Sequence, residues 1–115
     1  MGSMPVVKLT AKQETVLDRF VNEINVLNAL ADVKRQQIIV ILCKHEKEGL
    51  TVTDITNQME ITQPAVSHHL KILREAGLVS FRKNGLQSVY YLTVSEPLKN
   101  LEEVVHALRT EIVEA

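Results

Sequence analysis

Apolar side chains in the first part of the chain fall at Val16, Leu17, Phe20, Val21, Ile24, Leu27 and Leu30, the i, i+3, i+4, i+7 rhythm of an amphipathic helix over residues 10–30. So long a helix at the start of a small domain carries more apolar surface than one core absorbs, and part of it is expected to face a second subunit. Ala31-Asp32 breaks the rhythm, and Asp32 is placed to N-cap a helix over residues 33–46. The centre of that helix, Ile38-Ile39-Val40-Ile41-Leu42-Cys43, is apolar on nearly every side and short enough for a strand. Its flanks, Lys34-Arg35-Gln36-Gln37 and Lys44-His45-Glu46-Lys47-Glu48, are helix formers and Gly49 is a stop, which predicts a central, buried helix.

Thr51 and Asp54 make a capping-box pattern that opens a short helix to about residue 59, with Ile55 and Met59 on its inner face. Glu60-Ile61 turns the chain, Thr62 caps the next helix, Pro64 occupies its first turn, where a missing N–H costs little, and Gly77 closes it. Val66, His69, Leu70 and Leu73 share one face and are expected in the core. Gln63, Ser67, Lys71 and Arg74 form the opposite stripe, with Pro64 and His68 beside it. The adjacent histidines therefore separate: His69 is expected packed with a ring nitrogen satisfied locally, and His68 free to meet a phosphate or a base edge. Residues 52–79 thus have the layout of a helix-turn-helix DNA reader.

Beyond Leu78 the period falls to two, predicting a hairpin whose tight turn is Asn84-Gly85 and whose tip presents Arg82, Lys83, Asn84 and Gln87 as a wing. Ser95 is expected to cap a last helix with Pro97 in its first turn. Leu98, Leu101, Val105, Leu108 and Ile112 then follow the 3-4-3-4 spacing of a seam between helices. A two-fold contact using this seam with Leu17, Phe20, Val21 and Ile24 of the first helix is its natural use. The expected fold is mainly α (α+β): a winged helix-turn-helix of four helices, a β-hairpin wing and a fifth helix, dimerising through the first and fifth.

With 115 residues, residues 10–115 are expected to form a single winged-helix domain with terminal dimerisation helices. Residues 1–9 are expected to be a tag remnant, from Met1-Gly2-Ser3-Met4, and a disordered N-terminus. An apolar fraction of 45% without any run approaching the roughly 18 residues of a membrane span predicts a soluble, cytoplasmic protein. The net charge of −1 hides an asymmetry: residues 62–92 carry four cations against Glu75, whereas residues 96–115 carry two against five glutamates. Basic charge thus travels with the reader. Cys43 is the only cysteine, so no intrachain disulfide or thiolate cluster can form. No nucleophile with a matched base, phosphate loop or carboxylate pair suggests an enzyme.

Linked segments resemble the ArsR/SmtB winged-helix repressors of bacteria: Ala29-Leu30-Ala31-Asp32, Gln63-Pro64-Ala65-Val66-Ser67-His68-His69-Leu70, Leu73-Arg74-Glu75-Ala76-Gly77-Leu78-Val79 and Val89-Tyr90-Tyr91-Leu92. The resemblance covers residues 30–93. It implies a homodimer that binds operator DNA of inverted-repeat symmetry and leaves when an inducer binds. It carries DNA contact to Gln63, Ser67 and His68 and phosphate contact to Lys71; Thr62, Pro64, Arg74 and the wing residues Arg82, Lys83, Asn84 and Gln87 complete the expected surface. The inducer sites do not carry over. Where relatives have a Cys-x-Cys pair, this chain has Leu50-Thr51-Val52-Thr53, and the zinc set of the last helix is reduced to His106 with Glu102 and Glu103 nearby. His106 is therefore read as a solvated side chain, Cys43 as a buried structural thiol, and no metal or other cofactor is expected. The expected function is a homodimeric repressor released by an inducer other than a thiolate-bound metal; the rival is a winged-helix module that binds protein instead of specific DNA.

Overall fold

The computed structural model, described here for residues 7–115, divides the helix expected over residues 10–30 into two. α1 spans Ala11–Asn22 and α2 spans Ile24–Leu30; between them Glu23 has φ −83° and ψ 3°, outside the helical basin. Its N–H is shared between the Phe20 and Val21 carbonyls. Neither glycine nor proline marks this break. Thr10 caps α1 in a reciprocal box with Gln13. Expectations for Met1 to Met4 concern residues outside those described.

α3 spans Val33–Cys43, and Asp32 caps it by accepting the Arg35 N–H at 3.0 Å. The helix buries one face only. Ile38 and Leu42 are in the core while Val40 and Cys43 are exposed, so the expectation of a buried thiol at Cys43 is corrected: one step past Leu42 the helix has already turned to solvent. Turns lead to Gly49 at φ +70°, from which Leu50 exchanges backbone hydrogen bonds of 3.0 and 2.8 Å with Tyr90. That bridge ties the chain entering the helix-turn-helix to the wing.

α4 spans Val52–Thr56, opened by both hydrogen bonds of the Thr51–Asp54 box and ending sooner than residue 59. α5 spans Gln63–Glu75 and ends in a Schellman turn: Gly77, at φ +78°, donates to the Arg74 carbonyl, and Leu78 donates to that of Leu73. β1 (Val79–Asn84) and β2 (Gln87–Leu92) pair antiparallel from Val79 opposite Leu92 to Asn84 opposite Gln87. The hairpin turn is therefore Gly85-Leu86, not Asn84-Gly85. Only Gly85 is left-handed, which suits a turn needing positive φ at its first central residue, and Asn84 keeps a strand pairing.

α6 spans Ser95–Ala107 and continues through a π-helical stretch, Leu108–Val113. Val94, already helical at φ −75° and ψ −17°, precedes it without a side-chain cap, so Ser95 is the first helical residue and not the cap.

The main core gathers Ala29, Ile38, Leu42, Ile55, Val66, Leu70, Leu73 and Leu78, drawn from α2 to α5 and the chain entering β1. Val16 and Val104 are buried outside that cluster, where α1 lies along α6. Gln13 Nε2 donates to the Glu111 carbonyl at 3.0 Å there, and the ion pairs Arg19–Glu103 and Lys12–Glu111 flank the contact. Over the described residues the chain is a winged helix-turn-helix with six α-helices. Among the described residues no helix is long and apolar enough to cross a membrane.

Candidate nucleic-acid interface

The site is α5 and the hairpin that follows it. Thr62 Oγ1 accepts the Ala65 N–H at 3.3 Å, Pro64 stands in the first turn, and Val66, Leu70 and Leu73, with no exposed surface, seat the inner face on the core. The outer face follows from that seating. Thr62, Gln63, Pro64, Ser67, His68, Lys71 and Arg74 are all exposed, as expected. Among the described residues, Gln63, Ser67, His68 and Lys71 make no side-chain hydrogen bond or ion pair, so their donors and acceptors are free for a ligand. Gln63 offers the paired donor and acceptor that match adenine, and Lys71 a point charge for phosphate.

The wing cations divide by strand alternation. Arg74 stacks 5.2 Å above the Phe81 ring, and Lys83 lies 5.8 Å from the same ring while donating to Ser88 Oγ at 3.1 Å. Phe81 thus joins the end of α5 to the wing in one cationic strip. Arg82, on the other face of β1, donates to the Glu48 carbonyl at 2.8 Å and lies over Tyr91. It anchors the hairpin to the body while remaining exposed. Asn84 and Gln87 are exposed where the strands meet the turn.

His69 is half-buried, with Nδ1 3.4 Å from Arg35 Nη1. Guanidinium has no lone pair, so this contact is a hydrogen bond only with Nδ1 as the acceptor, that is, in the Nε2–H tautomer. Burial holds its pKa below the usual histidine range, Arg35 adding to that effect and Asp32 opposing it. The expected local partner of His69 is therefore Arg35, a residue the apolar pattern did not single out. Its signal was present as an arginine three residues after the N-cap Asp32.

Of the residues expected at a dimer contact, Leu17, Leu101, Leu108 and Ile112 are half-buried, and Phe20, Val21, Ile24, Leu98 and Val105 are 41–66% exposed. None is buried within the chain. The residue that faces inward from α6 is Val104, between the seam positions. Thr51 spends its hydroxyl on the α4 cap, Thr53 is exposed, and His106, Glu102 and Glu103 are exposed on α6. No three metal-ligating side chains gather among the described residues.

A family model described as "Bacterial regulatory protein, arsR family" matches residues 32–80, from the cap of α3 into β1. The transcriptional activator HlyU of Vibrio cholerae is 38% identical over 82 residues, covering 71% of this chain and 72% of that protein. Among solved structures, an ArsR-like transcriptional regulator from Rhodococcus shares the fold with a TM-score of 0.72 at 21% identity, covering 83% of this chain and 84% of the other. The homodimeric winged helix-turn-helix DNA-binding domain of a possible ArsR-family regulator from Mycobacterium bovis matches with a TM-score of 0.60 at 25% identity, over 92% and 94%. These relatives are described as transcriptional regulators. Fold, site and similarity agree: the chain belongs to the ArsR family of bacterial transcriptional regulators.

Proposed function

We propose that this chain forms, as one domain, a homodimeric, sequence-specific DNA-binding repressor that places one α5 in each of two successive major grooves of an inverted-repeat operator. The observation that carries the reading is the unpaired outer stripe Gln63, Ser67, His68 and Lys71 on a helix whose other face is fixed in the core. Gln63 and Ser67 read base edges, His68 a base edge or phosphate, and Lys71 with the Arg74–Phe81–Lys83 strip neutralises backbone charge. Dimerisation is supported by the open apolar faces of α1 and α6, and by shape. The radius of gyration is 18.6 Å, against about 13 Å for a compact domain of this length.

The inducer in this reading is something other than a thiolate-bound metal, because threonines stand where that chemistry needs cysteines. Two variants test the DNA contacts on duplexes from the region upstream of the protein's own gene. Gln63→Ala should lose discrimination between operator variants, each bidentate contact being worth about 1–3 kcal/mol. Lys71→Ala should weaken all sequences alike and reduce the salt slope by about 2 for a dimer. Uniform losses from both variants would refute the base-reading role of Gln63. Retention of protein partners without any specific duplex would favour a protein-binding module.

A further inference from the structure

The one charged side chain buried among the described residues is Arg35, at 8% exposure. Its guanidinium faces three elements. Nε donates to the Ala29 carbonyl at 2.9 Å and Nη2 to the Asn28 carbonyl at 2.8 Å, closing the end of α2, where the helix dipole favours a cation. Its backbone N–H is the donor that Asp32 caps, with the Asp32 carboxylate 3.9 Å from Nη1. On the third side Nη1 meets Nδ1 of His69, one residue from His68 on the exposed stripe of α5.

That last contact is a hydrogen bond only while Nδ1 is unprotonated. Most other anchors of α5 on the core are apolar and non-directional, whereas this one fixes how the helix is rotated against the α2–α3 corner. The charged groups facing His69 are Arg35, Lys34 and Asp32 from α3 and His68 from its own helix. Three of these disfavour an imidazolium and Asp32 favours it. With burial acting in the same direction as the cations, the ring is neutral at pH 7 and gains its proton only on acidification.

We propose that Arg35 and His69 form a proton-sensitive latch on the recognition helix. With His69 neutral the latch is closed; its protonation removes the acceptor, sets two cations face to face and frees α5 from its reading orientation. Specific DNA affinity then falls on acidification. The consequence for DNA rests on the repressor reading, but the latch is testable without it.

In the free protein, histidine side-chain nitrogen spectra between pH 8 and 5 should show His69 as the Nε2–H tautomer, titrating below the usual histidine range. Backbone amides of α5 should shift along with it. Arg35→Gln, which removes the positive charge, should raise the His69 titration, and His69→Asn, whose amide oxygen accepts but cannot be protonated at these pH values, should abolish the shift of α5. An Nδ1–H tautomer, or α5 amides that titrate equally in His69→Asn, would overturn the latch. With upstream duplex DNA, acidification from pH 7.5 to 5.5 should weaken specific binding by the wild type several-fold more than by His69→Asn. His68→Asn should keep that loss. Equal losses in wild type and His69→Asn would overturn the link to DNA, whereas absence of specific binding at every pH would contradict the repressor reading and leave the latch to the spectra.

Discussion

Replacing Arg35 by methionine removes the guanidinium while keeping much of the side-chain volume. The Asn28 carbonyl retains the Ala31 N–H as a donor at 3.2 Å, but the Ala29 carbonyl loses its only side-chain donor in a fully buried residue. An orphaned buried acceptor costs about 1–3 kcal/mol, and the lost charge-assisted bond to Asn28 and the favourable end of the α2 dipole add about 1 kcal/mol more. Methionine regains part of this by burying apolar surface, leaving a net loss of about 2–3 kcal/mol. Against a total stability of about 5–15 kcal/mol that is a large fraction. Urea unfolding at fixed protein concentration, followed by far-UV circular dichroism, reads it directly, because association would make the midpoint concentration-dependent. The midpoint should fall with the slope unchanged. A loss below about 0.5 kcal/mol would mean that water already satisfies the end of α2 and that the arginine does not hold α2, α3 and α5 together.

Val105→Glu places a charge on the open face of α6 and should convert a dimer to monomers in sedimentation equilibrium without unfolding the winged helix; an unchanged mass would refute the α1–α6 dimer face. Gly49→Ala forces a side chain onto φ +70° and a Cβ within 2.7 Å of the Tyr90 carbonyl. It should cost at least about 2 kcal/mol in urea unfolding, whereas Gly85→Ala, with open space around it, should cost less. Asp32 has its pKa lowered, chiefly by the Arg35 N–H it accepts. Its stabilisation is therefore present above the ordinary carboxylate pKa and lost as pH falls through the lowered value of the folded state. The stability gap between wild type and Asp32→Ala, about 1 kcal/mol near neutrality, should close below pH 4; a gap that persists there would refute the charged-cap assignment.

The parts of this molecule that were legible in its sequence are those where chemistry is local. Asp32, Thr51 and Thr62 are caps because a short polar side chain precedes an apolar rhythm, and each accepts the backbone N–H three residues on. The split of His68 from His69 followed from helical phase alone, since the neighbours Val66, Leu70 and Leu73 fix which side is inner. What escaped depends on geometry that the pattern does not encode. The break at Glu23 interrupts one turn without disturbing the spacing of apolar residues on either side, so a period count runs through it. The hairpin turn lies one residue later than the Asn-Gly pair suggests, because Asn84 stays paired with Gln87 and Gly85 alone takes the left-handed conformation there. Cys43 sits in a run of apolar neighbours in sequence, but burial on a helix follows the face, and Ile38 and Leu42 are the residues of that run that reach the core fully. Its spacing from the N-cap Asp32 marks Arg35 in the sequence, but not as a hub, because its other partners, two carbonyls and a histidine 34 residues away, meet it only in the folded chain.

The free outer stripe of α5 is proposed to read DNA sequence. Its most direct test is the affinity of the purified protein for a duplex from upstream of its own gene and for a scrambled duplex of equal length, measured by fluorescence anisotropy at rising salt. Non-specific binding is almost wholly electrostatic and fades as salt rises, while base-edge contacts persist. The upstream duplex should be bound at least about a thousandfold more tightly, and the ratio should be maintained or grow with salt. Affinities that stay equal at every salt concentration would contradict it.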